Sequence, residues 1–313
     1  GWINRYFCWK VGMRMNAMLK LQSILLLLLC IGVIARKRNI ITYDGRKSLS
    51  ALVINVILPF NIINSFRIEL SANILKQCAV VLAVAIVTQI FYILISKVLY
   101  TKFPDNKKPV LEYATICSNA GFMGNPIVEA IYGSQGLLYA SIALIPLRVA
   151  MWSAGLSLFT KTDKKSVVKK LLTHPCIIAV YIGFALMITQ VNLPTFIGDT
   201  IKIVSNCNTA ISMIVIGAIL AEIDVKQLIE KSLLYYSTWR LVLIPLIVFF
   251  ALKCLKLDTM AIGVTVLLAA MPAGSTTVML ADTYGADSKY ASSCVFVSTI
   301  LSMITLPIIS AIL

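Results

Sequence analysis

Uncharged apolar runs of about 20 residues recur from one end of this chain to the other, and they constrain its fold more than any other feature. A helix needs about 20 such residues to cross the hydrocarbon core of a bilayer. Backbone groups in lipid must be hydrogen-bonded within the segment, so spans of this kind are helices. Barrel strands would alternate apolar and polar residues, and these runs do not. Composition agrees: 59% of residues are hydrophobic, 13% are charged, and the mean hydropathy is +0.90. A soluble domain carries about 25% charged residues, so most of this surface does not face water. The chain reads as an all-α polytopic membrane protein with no attached soluble domain.

Ten spans fit, at 18–35, 48–66, 74–100, 109–132, 136–160, 175–191, 199–222, 234–255, 259–283 and 288–312. The longest polar stretch, KTDKKSVVKKLL from Lys161, predicts a basic cytoplasmic linker over 161–174 with an interfacial helix. It separates a first set of five spans, 18–160, from a second, 175–313. Residues 1–17 read as an upstream extension, with Met15 or Met18 as the natural start. The formal net charge of +15 fits loop anchoring better than nucleic-acid binding. Arg36, Lys37, Arg38, Arg46, Lys47, Lys97, Lys102, Lys107 and Lys108 fall on one side, with the linker lysines and Lys226, Lys231, Arg240 and Lys289. The loops of the other side hold only Arg67, Lys76, Lys202, Lys253 and Lys256, and one segment disagrees: residues 1–17 carry Arg5, Lys10 and Arg14. The positive-inside rule then places both termini outside the cell membrane.

The two halves share a motif. YGSQGLLYAS begins at Tyr132 and YGADSKYAS at Tyr284, each between the fourth and fifth spans of its half. Five is odd, so a second repeat of five spans is inverted relative to the first. Upstream of each motif lies a span unsuited to a straight helix. The first, SNAGFMGNPIVEAIYG, carries Gly121, Gly124, Asn125 and Pro126; the second, AAMPAGSTTVMLADTYG, carries Pro272 and Gly274. Proline lacks an N–H and clashes with the preceding turn. Glycine permits unwound backbone. Broken helices at matching places in inverted halves mark a transport site. Two ordinary proline kinks would leave the same letters, and Pro59, Pro146, Pro245 and Pro307 kink spans elsewhere.

The substrate-binding candidates follow from these breaks. Half-helix N-termini offer unpaired N–H groups and partial positive charge, which suit an anion. Asn119 and Asn125 bring amides to the first break, and Ser275, Thr276 and Thr277 bring hydroxyls to the second. The same groups would also serve simply to repair helix bonding. Arg148 lies within the fifth span, where a charge costs about 3 kcal/mol on insertion scales. It reads equally as a counter-charge for an anionic substrate or as half of a structural pair with Glu129 or backbone carbonyls. Glu129 and Asp282 are the acids nearest the breaks and are candidates for H⁺ or Na⁺ coupling or for interfacial solvation. Asn61 and Asn64 in the second span and Asn206 and Asn208 in the seventh either line a pathway or bond neighbouring helices, with bonding the better reading. The eight cysteines show no CxxC pair and read as small buried hydrophobes. His174 is the only histidine, which excludes multi-histidine metal sites, and no phosphate loop, dinucleotide fingerprint or nucleophile elbow is present.

SNAGFMGNP and the stretch MPAGSTTVMLADTYGADSKYASSCVFVSTILSMITLP resemble the auxin efflux carrier family, in the form of its bacterial permeases. The resemblance covers residues 18–313. It implies ten helices in two inverted five-helix repeats, with helices four and nine crossing at their breaks as in bile-acid symporter-like folds. Spans 1, 2, 6 and 7 would form a scaffold and the remaining spans a transport domain that moves as an elevator. Family-like positions are Asn119, Gly121, Gly124, Pro126 and Pro272; Arg148 has no secure counterpart. The long central hydrophilic loop of the plant carriers is missing here, which argues against plant-style hormone transport.

The function expected is therefore secondary transport of a small organic anion, a mono- or dicarboxylate. The alternative is a Na⁺- or H⁺-coupled symporter or exchanger of the same architecture for another solute. Neither is an enzyme, and neither calls for a cofactor or metal beyond a coupling ion. The partners expected are the substrate and the lipid bilayer. A homodimer is admitted and nucleic acid is not.

Overall fold

The computed structural model describes residues 20, 23–69, 71–160, 169, 172–222, 230–255 and 257–313, apart from the side chains of 282 and 283. The extension 1–17 and most of the linker 161–174 lie outside the described residues. The described chain runs α1 (23–37), α2 (Tyr43–Ser65), α3 (Ala72–Leu99), α4 (Lys108–Ile116) and α5 (Asn125–Ala150). It continues with α6 (Pro175–Thr189), α7 (Thr195–Leu220), α8 (Lys231–Cys254), α9 (Thr259–Ala269), α10 (Thr276–Thr283) and α11 (Ser288–Ile312). Among the described residues, six helical stretches are long and apolar enough to cross a membrane, while α6 and α9 are apolar but shorter.

Helix starts follow from polar caps at the ends of apolar runs. Thr42 accepts from the Gly45 N–H at 3.0 Å, Ser71 from Ile74 at 3.2 Å, and Asp287 from Tyr290 at 2.9 Å. Asp258 accepts from both Met260 and Ala261, which meets two of the donors that a helix start leaves open.

Proline sets most irregular turns inside the spans. Of four π-helical turns among the described residues, three, Val53–Ile57, Ala120–Gly124 and Trp239–Leu243, each end two residues before a proline, Pro59, Pro126 and Pro245, while the fourth, Met151–Gly155, does not. A proline ring clashes with the carbonyl four residues back and offers it no N–H. Widening that turn relieves the clash and re-aims the side chains on it. Pro146 and Pro307 stay within helix, whereas α5 is itself two helices that meet at Gly133, where φ is 65° and ψ is −159°.

Two packing groups result. One holds α2, α6 and α7, joined by α1; the other holds α3, α4, α5, α8, α9, α10 and α11. A Cβ on Gly32 of α1 would lie 2.1 Å from the Ile214 carbonyl oxygen, and one on Gly217 of α7 would lie 2.1 Å from that of Leu29. These glycines allow α1 and α7 to touch backbone to backbone, as small residues do in membrane bundles. Buried polar side chains tie α2 to α7: Asn61 Nδ2 donates to Ser205 Oγ at 3.0 Å, Asn208 Nδ2 to Asn61 Oδ1 at 3.4 Å, and Ser212 Oγ to Asn208 Oδ1 at 3.0 Å. Across the two groups, α2 meets α5 through the Ser65 and Ser141 hydroxyls at 3.3 Å.

Candidate functional site

Two helix interruptions meet inside the bundle. The first separates α4 from the π turn ahead of α5; the second separates α9 from α10. Their extended residues pair as an isolated antiparallel bridge between Ser118 and Ala273. Asn119 N–H donates to the Pro272 carbonyl at 2.8 Å, and Gly274 N–H to the Cys117 carbonyl at 3.4 Å. Glycine is needed where the strands cross: a Cβ on Gly274 would sit 3.2 Å from both the Cys117 and Ser118 carbonyl oxygens. Gly124 packs closely on α9, where a Cβ would come within 2.8 Å of Leu268 Cδ2.

Backbone groups buried outside regular helix need partners. Neighbouring helices supply them. Gln89 Nε2 of α3 donates to the Ile116 carbonyl at 3.0 Å, and Tyr236 Oη of α8 to that of Ala114 at 3.0 Å. Ser298 Oγ of α11 accepts from Ala273 N–H at 3.2 Å. Arg240 serves both interruptions: Nε donates to the Met271 carbonyl and Nη1 to the Thr115 carbonyl, each at 3.1 Å. This corrects the reading of Arg240 as a loop anchor. The residue is fully buried on the π turn of α8.

A cavity opens beside the crossing. Its walls are largely apolar, from Ile54, Leu58, Leu144, Leu147 and Met279, with polar groups converging from both interruptions. Ser118, Asn119 and Gly121 come from the first, and Gly274, Ser275 and Thr276 from the second. Arg148 enters from α5, and His174 and Cys176 from the start of α6. Three of these groups are unmet. Ser118 Oγ, Asn119 Nδ2 and Arg148 Nη1 are buried without a hydrogen-bond partner among the described residues. Thr276 Oγ1 accepts from Tyr113 Oη at 3.2 Å, so its own hydrogen is available to the cavity. No Asp or Glu lines this cavity among the described residues.

The structure therefore brings Asn119, Gly121, Arg148, Ser275 and Thr276 together. It places the other candidates beside the cavity. Pro272 holds Asn119 through its carbonyl, and Gly124 packs on α9. Pro126 and Asn125 are buried at the start of α5. Asn125 Nδ2 and Oδ1 and Thr277 Oγ1 lack partners but do not line this cavity. Arg148 does not pair with Glu129. The Glu129 side chain turns to Asn61, while the Arg148 guanidinium lies against the Cys176 thiol. The Asp282 side chain lies outside the described residues. Ser118, His174 and Cys176 were not expected from sequence.

His174 caps α6, with Nδ1 accepting from the Cys176 N–H at 3.2 Å. Burial, and then the nearby Arg148 charge, lowers its pKa from 6.5 to about 4. The imidazole is therefore neutral at pH 7 and adds no second charge to the cavity.

The arrangement sets hydrogen-bond donors and one guanidinium inside apolar walls, at interrupted membrane-type helices. It defines a multi-pass membrane transporter. The chain matches the family described as membrane transport protein over residues 17–310 and belongs to that family, which includes the auxin efflux carriers. An uncharacterized transporter of Methanothermobacter thermautotrophicus is 27% identical over 294 residues, covering 92% of this chain and 96% of the relative. One from Methanocaldococcus jannaschii is 23% identical, covering 90% and 94%. The uncharacterized transporter YfdV of Escherichia coli K12 is 20% identical, covering 91% and 94%. These relatives are named as transporters, not enzymes.

Proposed function

We propose that the protein is a secondary carrier of a small organic anion, a mono- or dicarboxylate, bound in the cavity beside the crossing. The observation that carries this reading is the Arg148 Nη1, buried among donors from both interruptions with no hydrogen-bond partner and no carboxylate lining the cavity among the described residues. A carboxylate would satisfy Arg148, Asn119 and Ser118 at once, and charge-assisted hydrogen bonds are the strong ones. The N-terminal ends of α5 and α10 add partial positive charge nearby.

The architecture proposed is ten spans in two inverted repeats of five. Tyr132-Gly133 and Tyr284-Gly285 support it, since both glycines adopt positive φ, at 65° and 73°. Gln89 and Arg240 support it too, each reaching from the span ahead of an interruption to that interruption's carbonyls. The group around α2, α6 and α7 would be the scaffold, and the group containing the crossing would move as an elevator. In the charge-based orientation, with the protein in the cell membrane, His174 adjoins the cytoplasmic linker and the cavity opens inward.

The test is uptake of radiolabelled mono- and dicarboxylates by purified protein in liposomes. Saturable flux of at least one, suppressed in Arg148→Gln, is expected. Absence of flux for every carboxylate would refute the reading. A coupled symporter is the second reading, favoured by Glu129 lying against Asn61 where α2 meets α5. Loss of flux on replacing Na⁺ with choline, or on collapsing a pH gradient, would select it.

A further inference from the structure

Helix C-termini carry a negative pole and unmet carbonyls. At this crossing the C-terminal ends of α4 and α9 come together within the bundle, through Ser118 and Ala273 just beyond them. Arg240 stands at their junction, fully buried. Its guanidinium joins the Thr115 carbonyl of one end to the Met271 carbonyl of the other, and its Cζ lies 4.9 Å from the centroid of the Tyr92 ring. Nη2 has no hydrogen-bond partner, and Arg240 makes no ion pair among the described residues. The charge is therefore set against two helix poles and an aromatic face, not against an acid.

We infer that Arg240 is a positioning residue for transport, a tethered cation that holds the two interruptions in register and cancels their negative poles. This rests on the crossing being the transport site. Two separate contributions follow from the guanidinium. Its planar fork reaches carbonyls on two different helices at once, which fixes the pairing of residues 117–119 with 272–274. Its charge offsets the α4 and α9 poles, so the cavity experiences the positive ends of α5 and α10 together with Arg148. A lysine would keep the charge but lose the fork, and glutamine would lose the charge.

That separation gives the test. Ser118→Cys and Ala273→Cys, introduced into a chain whose native cysteines are replaced, place a thiol pair across the bridge. Oxidative cross-linking then reports register without requiring transport. With Arg240 present, cross-linking is expected to be near complete. Arg240→Gln should lower its rate at least fivefold and, in the protein with Ser118 and Ala273 intact, raise the half-saturation concentration for the transported anion at least tenfold. Arg240→Lys should recover most of the half-saturation value but not the cross-linking rate. Equal cross-linking in all three proteins would overturn the clamp, and so would identical transport by the lysine and glutamine variants. Should Arg240→Gln fail to fold, Arg240→Lys alone decides, since wild-type cross-linking in it contradicts the fork. Altered cross-linking in a protein that carries no anion would leave the clamp standing and remove the proposed transport reading instead.

Discussion

Two buried polar clusters sit in this apolar bundle, and they are finished differently. Between α2 and α7, Asn61, Ser205, Asn208 and Ser212 bond to one another in a closed chain. Beside the crossing, Ser118, Asn119 and Arg148 keep atoms without a partner among the described residues. A buried donor left unmet costs about 1–3 kcal/mol, more for a charged group, so the second cluster is not there for stability. On the proposed reading the contrast separates glue from site: the bonded chain holds helices together, and the open cluster is left for a bound anion to complete.

Four substitutions would break or sharpen this contrast. Arg148→Gln should have the largest effect, raising the half-saturation concentration by about 10- to 100-fold, since hydrogen bonds to charged groups contribute about 1.5–3 kcal/mol. Its thermal stability should hold or rise, because a buried charge without an acid partner is removed. Uptake kinetics and thermal unfolding on one preparation check both; a stability loss with unchanged affinity would move Arg148 into the glue class. Pro126→Ala should come next, lowering uptake several-fold with expression retained, because the π turn loses the clash that maintains it. Normal uptake would detach the interruption from function.

Asn208→Leu should act the other way round. It strips partners from Asn61 and Ser212. It should therefore cost about 1–2 kcal/mol of stability while leaving the half-saturation value unchanged. His174→Gln should have the smallest effect. His174 titrates near 4 in the folded chain against 6.5 unfolded, so between these values the unfolded chain binds the proton and stability falls as pH falls. Glutamine removes that contribution, and the difference between melting curves at pH 7 and pH 4.5 should shrink. An unchanged difference would mean that His174 does not titrate this way.

The interruptions were legible because Gly121, Gly124, Pro126, Pro272 and Gly274 break local helix rules in segments that otherwise obey them. Their meeting was only half legible, since the YG repeat hints at inversion but no letter encodes the Ser118–Ala273 bridge. The cavity walls were harder to read. A helix that is apolar all round carries no periodic signal of which face looks inward, so nothing singled out Cys176 or Leu147. Arg240 was misread for a related reason. Its neighbours Tyr235, Tyr236, Ser237, Thr238 and Trp239 resemble the aromatic and polar belt of a span end, while its actual partners are carbonyls distant in sequence. Arg148 was legible as an anomaly, and only its surroundings distinguish an unmet charge from a paired one.

Equilibrium binding to detergent-purified protein reaches the central claim without orientation or coupling intervening. Radiolabelled carboxylates would be titrated against the wild type and Arg148→Gln, with folding verified in both. Saturable binding to the first and at least tenfold weaker binding to the second is the result expected. Equal binding by the two proteins, or none by the wild type, would contradict it.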